Sequence, residues 1–166
     1  MQHLLTLPPR MAEAFARLEG RRPPEWFATA DPAGKPLGSG GGTAHLLAEA
    51  WHATGHDLAF GEWLQRSRKL ILHAGGQSRR LPAYAPTGKL LMPIPVFRWA
   101  RGQRLDQTLL DLQLPDYQRV LAHAGPGTVA MITSGDVLLR FARDLPPFPQ
   151  VDVLGLGMRL PPEQAK

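Results

Sequence analysis

The chain has 166 residues, of which 43% are hydrophobic, 20% charged and none cysteine. That is enough for one domain with a real core and too little for two, and the missing cysteines exclude disulfides, thiolate catalysis and thiolate zinc sites. The net charge of +5 is concentrated, with nine Lys or Arg and no Asp or Glu between Gln65 and Arg104, a single-sign field that attracts polyanions. No apolar run is long enough for a bilayer and no secretory leader pattern is present, so a cytoplasmic protein without a membrane partner is expected.

Taken in chain order, His3, Thr6 and the prolines at 8 and 9 break up the one apolar patch near the start, and no element is assigned there. Pro9 to Leu18 predicts a helix with Met11, Phe15 and Leu18 on one face, stopped by Gly20. Glu25 to Ala30 is aromatic and extended, a short strand, and Asp31 to Gly42 is loop. Thr43 can cap a helix running to about Thr54, with Gly55 behind it, and a second short helix covers Leu58 to Gln65. His52 and His56 stand one helical turn apart, but Gly55 intervenes and no third ligand is evident, so a zinc pair is not assigned.

Lys69 to Ala74 is a continuous apolar run, the pattern of a strand buried on both faces, and it empties into Gly75-Gly76. Leu90 to Val96 is apolar but broken by Pro93 and Pro95, which suits an edge or a loop. Leu105 to Gln113 and Pro115 to His123 predict two helices, and Thr128 to Thr133 a second buried strand ending in Ser134-Gly135-Asp136. Val137 to Arg143 predicts a short helix and Val151 to Leu154 a third apolar strand. Strands alternating with helices predict an α/β fold with a mostly parallel sheet and helices on both faces, a Rossmann-like three-layer arrangement. In such sheets ligands bind beyond the carboxyl ends of the strands, where the glycine-rich loops fall.

Two loops carry chemistry. The first runs H-A-G-G-Q-S-R-R-L-P and reaches Gly88-Lys89. Gly75 and Gly76 let successive backbone N–H groups close on an anion, while Arg79, Arg80 and Lys89 add charge that does not titrate near neutrality. That set suits a triphosphate, although a glycine-rich turn with two solvated arginines has the same composition. The second loop, L-G-S-G-G-G-T over Leu37 to Thr43, runs into a helix whose N–H groups could meet an anion or a base edge. It is neither a phosphate-binding Walker loop nor a dinucleotide fingerprint, and alone it reads equally well as a linker. His73 beside the glycines either touches a nucleotide or holds the loop, and Asp136 after Ser-Gly is by itself a good helix cap.

Ala74-Gly75-Gly76, Arg80-Leu81, Lys89 and the segment Leu90-Leu91-Met92-Pro93-Ile94-Pro95-Val96 together resemble the A-G-G-x-G-T-R-L, lysine and L-L-P-V pattern of sugar-1-phosphate nucleotidyltransferases. W-F-A-T-A-D-P-A-G, I-T-S-G-D-V and V-D-V-L-G-L-G-M extend the likeness, from Trp26 to Met158, to the bifunctional L-fucokinase/L-fucose-1-phosphate guanylyltransferase family. The sequence departs from the general pattern at Ser78 and Arg79, which replace Gly and Thr, and at Gly88, which replaces Pro before the lysine.

The resemblance implies a nucleotidyltransferase-type sheet, incomplete at the end of the chain, with residues 1–36 as a leader helix and strand and 37–166 as the nucleotide-binding core. It implies transfer of GMP from GTP to L-fucose 1-phosphate, and Arg80 and Lys89 as the catalytic cations. Nucleotide binding would fall to Gly38, Ser39, Gly40, Gly41, Gly42, Thr43, Gly75, Gly76, Ser78 and Arg79, with Asp136 on Mg²⁺. The family further implies the remainder of the domain and a sugar-kinase domain as partners, without which this chain alone would be inactive. Three rivals stay open: a molybdenum-cofactor-type guanylyltransferase, which shares A-G-G-x-S-R-R, a non-catalytic nucleotide-binding module, and a nucleic-acid binder. The last lacks aromatic residues interleaved with its charges, and no nucleic-acid partner is expected.

Overall fold

The computed structural model describes residues 1–17, 21–75, 88–94, 106–135, 137–142, 144–157, 161 and 163. Four strands, β1 (Gln2–Thr6), β2 (Trp26–Thr29), β3 (Lys69–His73) and β4 (Ala130–Ser134), form one sheet in the order β2-β1-β3-β4. Every pairing is parallel. Helices α1 (Pro9–Phe15), α2 (Gly38–Thr54), α3 (Phe60–Arg66) and α4 (Leu109–His123) connect and cover them. The expected α/β architecture is therefore present, with a layer of helices on each side.

Alternation along the strands sorts the core into two halves. Leu5, Leu70 and Leu72 face α1 and α4 through Phe15, Leu110, Tyr117 and Leu121. Leu4 and Ile71 face α2 and α3 through Leu46, Ala50 and Trp63. Residues one apart on a strand point to opposite faces, which is why Leu4 and Leu5 can both be fully buried. The steps from β1 to β2 and from β3 to β4 run in opposite directions across the sheet, while α1 and α4 share one face.

Several expectations change. Residues 2–6, given no element, form an interior strand: the stretch is short, and Pro8 follows it too closely for the pattern to look like a full strand. The glycine run is helix and not loop, because α2 starts at Gly38, which enters with φ +68°. Thr43 is consequently inside α2 and does not cap it; its hydroxyl bonds the Ser39 carbonyl at 2.9 Å. The two helices expected around Pro115 are one, α4, with the proline inside it. Its buried residues Leu110, Gln113, Tyr117, Val120 and Leu121 keep one stripe across the proline, so packing outweighs the lost N–H. Thr108 caps it, accepting from Asp111 N at 3.3 Å while Asp111 Oδ2 accepts from Thr108 N at 2.8 Å.

Residues 137–142 carry no helix. They run along α4 instead, where the Val137 carbonyl accepts from Gln113 and Tyr117 and the Ala142 carbonyl accepts from Arg119 at 2.7 Å. Residues 151–154 carry no strand and pair with none among the described residues, and Val153 is 88% exposed. Apolar composition alone promised a strand there, but a strand also needs a neighbour.

At the amino ends of the strands, Lys69 is fully buried beneath α3. Its Nζ donates to the carbonyls of Trp63 (2.7 Å), Leu64 (3.2 Å) and Ser67 (2.7 Å) and lies 4.4 Å from the centre of the Trp63 ring. The ammonium closes the carbonyl end of α3, where the helix dipole favours a cation. Burial, with Arg66 adding repulsion, lowers its pKa to about 8.

Candidate functional site

The strand register brings the four carboxyl ends level. Thr29 pairs with Thr6, Thr6 with His73, and His73 with Ser134. Four apolar strands thus end in one polar row, which is where a parallel sheet presents a ligand with backbone N–H groups and loops.

Beyond that row the chain is tightly constrained. Gly135 N donates to the His73 carbonyl at 2.8 Å, and a Cβ on Gly135 would lie 2.8 Å from the Ala74 Cβ, so only glycine lets the exits of β3 and β4 approach this closely. Gly75 rests against the Thr6 side chain, where a Cβ would sit 3.5 Å from Oγ1. Gly88 (φ +57°) seats against Pro8 and Met11 of α1, with a Cβ position 2.8 Å from the Met11 sulfur. Both ends of the stretch between Gly75 and Gly88 are therefore anchored on the corner between β1 and α1. Lys89 follows in the same left-handed backbone (φ +56°) and is half-buried. That conformation is uncommon for a residue with a side chain and fixes the direction in which Lys89 leaves the backbone.

On the opposite face, the first turns of α2 come up to the same row. Thr43 Oγ1 lies 2.8 Å from His73 Nε2, and Thr6 Oγ1 lies 3.2 Å from His73 Nδ1. Gly42 is buried, and a Cβ on it would stand 3.7 Å from Asp31 Oδ1 and 4.0 Å from His73 Cε1. Asp31 Oδ2 accepts from Leu37 N at 3.2 Å and so steadies the entry to α2. Burial lowers the His73 pKa, partly offset by the negative charge of Asp31.

Of the residues singled out in the sequence, Gly38, Ser39, Gly40, Gly41, Gly42 and Thr43 are gathered in the first turns of α2. Thr43 reaches His73 directly, and Gly75 and Lys89 belong to the neighbouring corner. Gly76, Ser78, Arg79, Arg80 and Asp136 lie outside the described residues. Sequence reasoning missed Thr6 and Asp31. Thr6 ends a strand that was not recognised, and Asp31 looked like an ordinary Asp-Pro turn. Among the described residues no three His, Asp or Glu side chains converge as a metal site, and none of their helices is long and apolar enough to cross a membrane.

A parallel sheet ending in one polar row, with glycine-rich segments at the same edge, defines an α/β domain of the class that takes ligands beyond its strand carboxyl ends. The fucose pyrophosphorylase domain model matches residues 61–166, and the chain belongs to that family. It is 48% identical over 165 residues to the L-fucokinase/L-fucose-1-P guanylyltransferase of Bacteroides fragilis, an alignment covering 99% of this chain and 17% of that protein. It is 34% identical over 83 residues to the bifunctional fucokinase/GDP-fucose pyrophosphorylase of Arabidopsis thaliana, covering 42% of this chain and 8% of that protein. The chain thus corresponds to less than a fifth of the length of these relatives. No solved structure matches it.

Proposed function

We propose that this chain supplies part of a guanylyltransferase site that transfers GMP from GTP to L-fucose 1-phosphate, giving GDP-L-fucose and pyrophosphate. The observation that carries this reading is 48% identity along 99% of the chain to a protein named for that activity. The glycine-rich, lysine-bearing corner at the strand carboxyl ends supports it. An oxygen of the sugar phosphate attacks the α-phosphorus of GTP, the bond to the bridging oxygen breaks, and pyrophosphate leaves. Little covalent work falls to the protein, which positions the reactants and stabilises charge.

In this reading Gly75 and Gly76, with Ser78 and Arg79, line the triphosphate, and Arg80 and Lys89 hold its developing charge. Gly38 to Thr43 would flank the guanosine end. Mg²⁺ on the triphosphate, with Asp136 as its protein ligand, would neutralise part of the pyrophosphate charge, as such ions do with one or two carboxylates and phosphate oxygens. A fucokinase domain and the rest of the transferase domain are the proposed partners.

The test is pyrophosphate release by the intact protein from GTP or ATP with a panel of sugar 1-phosphates. GTP with L-fucose 1-phosphate is expected to be the preferred pair. A site that hydrogen-bonds the guanine amide edge is left unpaired by adenine, which makes large discrimination possible. Equal use of ATP would remove the guanine assignment, and no turnover with any sugar phosphate would remove the reaction.

A further inference from the structure

The imidazole of His73 stands between two segments that are far apart in sequence. Its Nδ1 meets Thr6 Oγ1 at 3.2 Å, and its Nε2 meets Thr43 Oγ1 at 2.8 Å. Each threonine has a second partner on the far side. Ala74 N–H donates to the Thr6 carbonyl at 2.9 Å and also lies 3.3 Å from Thr6 Oγ1, and Thr43 Oγ1 lies 2.9 Å from the Ser39 carbonyl.

Counting protons gives this chain a direction. A hydroxyl has one proton to give. The Ser39 carbonyl can only accept, so Thr43 spends its proton there and must accept from Nε2–H. A neutral imidazole with its proton on Nε2 has a bare Nδ1, which accepts from the Thr6 hydroxyl. The Thr6 hydroxyl oxygen in turn takes the longer branch of the Ala74 N–H bond, whose shorter branch goes to the Thr6 carbonyl at 2.9 Å. The chain thus runs in one direction from the backbone beside Gly75 to a backbone carbonyl inside the glycine run of α2.

We propose that His73 is a positioning residue that couples the two glycine-rich segments, Gly38–Gly42 and the start of the Ala74-Gly75 turn, through this single directed hydrogen-bond chain. The proposal uses the guanylyltransferase reading in one respect: if both segments hold GTP, the chain sets the distance between them. The linkage itself does not depend on that reading. Glycines offer no side chains through which two segments can be tied together. A relay of Thr6 in β1, His73 in β3 and Thr43 in α2 supplies what the glycines cannot.

The experiment uses the intact protein and the isosteric variants Thr6→Val and Thr43→Val, which remove one hydroxyl each. Amide hydrogen exchange is read in the segment that the substitution does not touch. Thr6→Val is expected to raise exchange in residues 38–43 roughly tenfold, and Thr43→Val to do the same at residues 74–75, one lost hydrogen-bonded link in each case. Thr6→Val is also expected to raise the KM for GTP roughly tenfold with a smaller effect on kcat, because Thr6 itself meets no nucleotide. Exchange that changes only beside the substituted residue overturns the coupling. Coupling with an unchanged KM overturns its role in holding GTP. An intact coupling in a parent protein that turns over no GTP removes the guanylyltransferase reading and leaves the coupling standing.

Discussion

Lys89 is a position where backbone and chemistry can be separated. Its φ of +56° strains any residue with a Cβ, so alanine inherits the strain that lysine already bears. Lys89→Ala therefore removes the ammonium without adding backbone strain. In the intact protein it should lower pyrophosphate release about a hundredfold, the scale of a lost transition-state charge contact. Retention of activity within a fewfold would take Lys89 out of the mechanism. The histidines make a separate statement about acidity. His3, buried and stacked on Trp26 at 4.1 Å, and His73 both have pKa values lowered by burial. A lowered folded pKa means that the unfolded chain takes up protons first as the pH falls. The stabilisation is complete above the ordinary histidine range and is lost as pH falls through the folded values. Thermal melts should drop as the pH falls below about 6.5, the ordinary histidine pKa, and His3→Gln should melt lower but with a shallower pH slope. A pH-independent melting curve in the parent would contradict this.

At the scale of elements, the strands and helices that were legible were those whose pattern and partners agree. Lys69 to Ala74 could be read because a short, largely apolar run emptying into two glycines has few other uses. β1 could not, since five residues before a double proline carry too little pattern, and only the pairing with β2 and β3 makes them a strand. The glycine run was taken for loop because glycine is a poor helix former. Leu37 and Thr43, on either side of the run, are held instead by Asp31 and His73, contacts that no local pattern announces. The same dependence on contact gives a prediction where α2 ends. Gly55 has a negative φ (−160°), outside the left-handed region, yet a Cβ there would lie 2.0 Å from Trp63 Cδ1. Trp63 is 2% exposed and wedged between α3 and the sheet. Gly55→Ala should cost about 2–3 kcal/mol through overpacking, seen as a lower urea midpoint with an unchanged slope. A midpoint within error of the parent would show that α3 shifts freely on the sheet.

For the whole molecule, the parallel α/β class and the edge at which the glycine-rich segments gather followed from the sequence, because alternating strands and helices leave few other architectures. The convergence of Thr6, Asp31, Thr43 and His73 did not follow, since it depends on register between strands 67 residues apart. The chain corresponds to 17% of its Bacteroides fragilis relative, and in-line attack needs both reactants held together. We expect the 166-residue chain alone to bind GTP weakly and to form no GDP-fucose; steady product from the monodisperse chain would show that the whole site lies within it. The position of β1 has a temporal consequence as well. β1 leaves the ribosome before the two strands that flank it, β2 on one side and β3 on the other. At about 5–20 residues per second, several seconds pass between the synthesis of Gln2 and that of Lys69. Throughout that interval the nascent chain holds an apolar strand with one open edge, which makes Leu4 and Leu5 natural attachment points for a chaperone until β3 arrives.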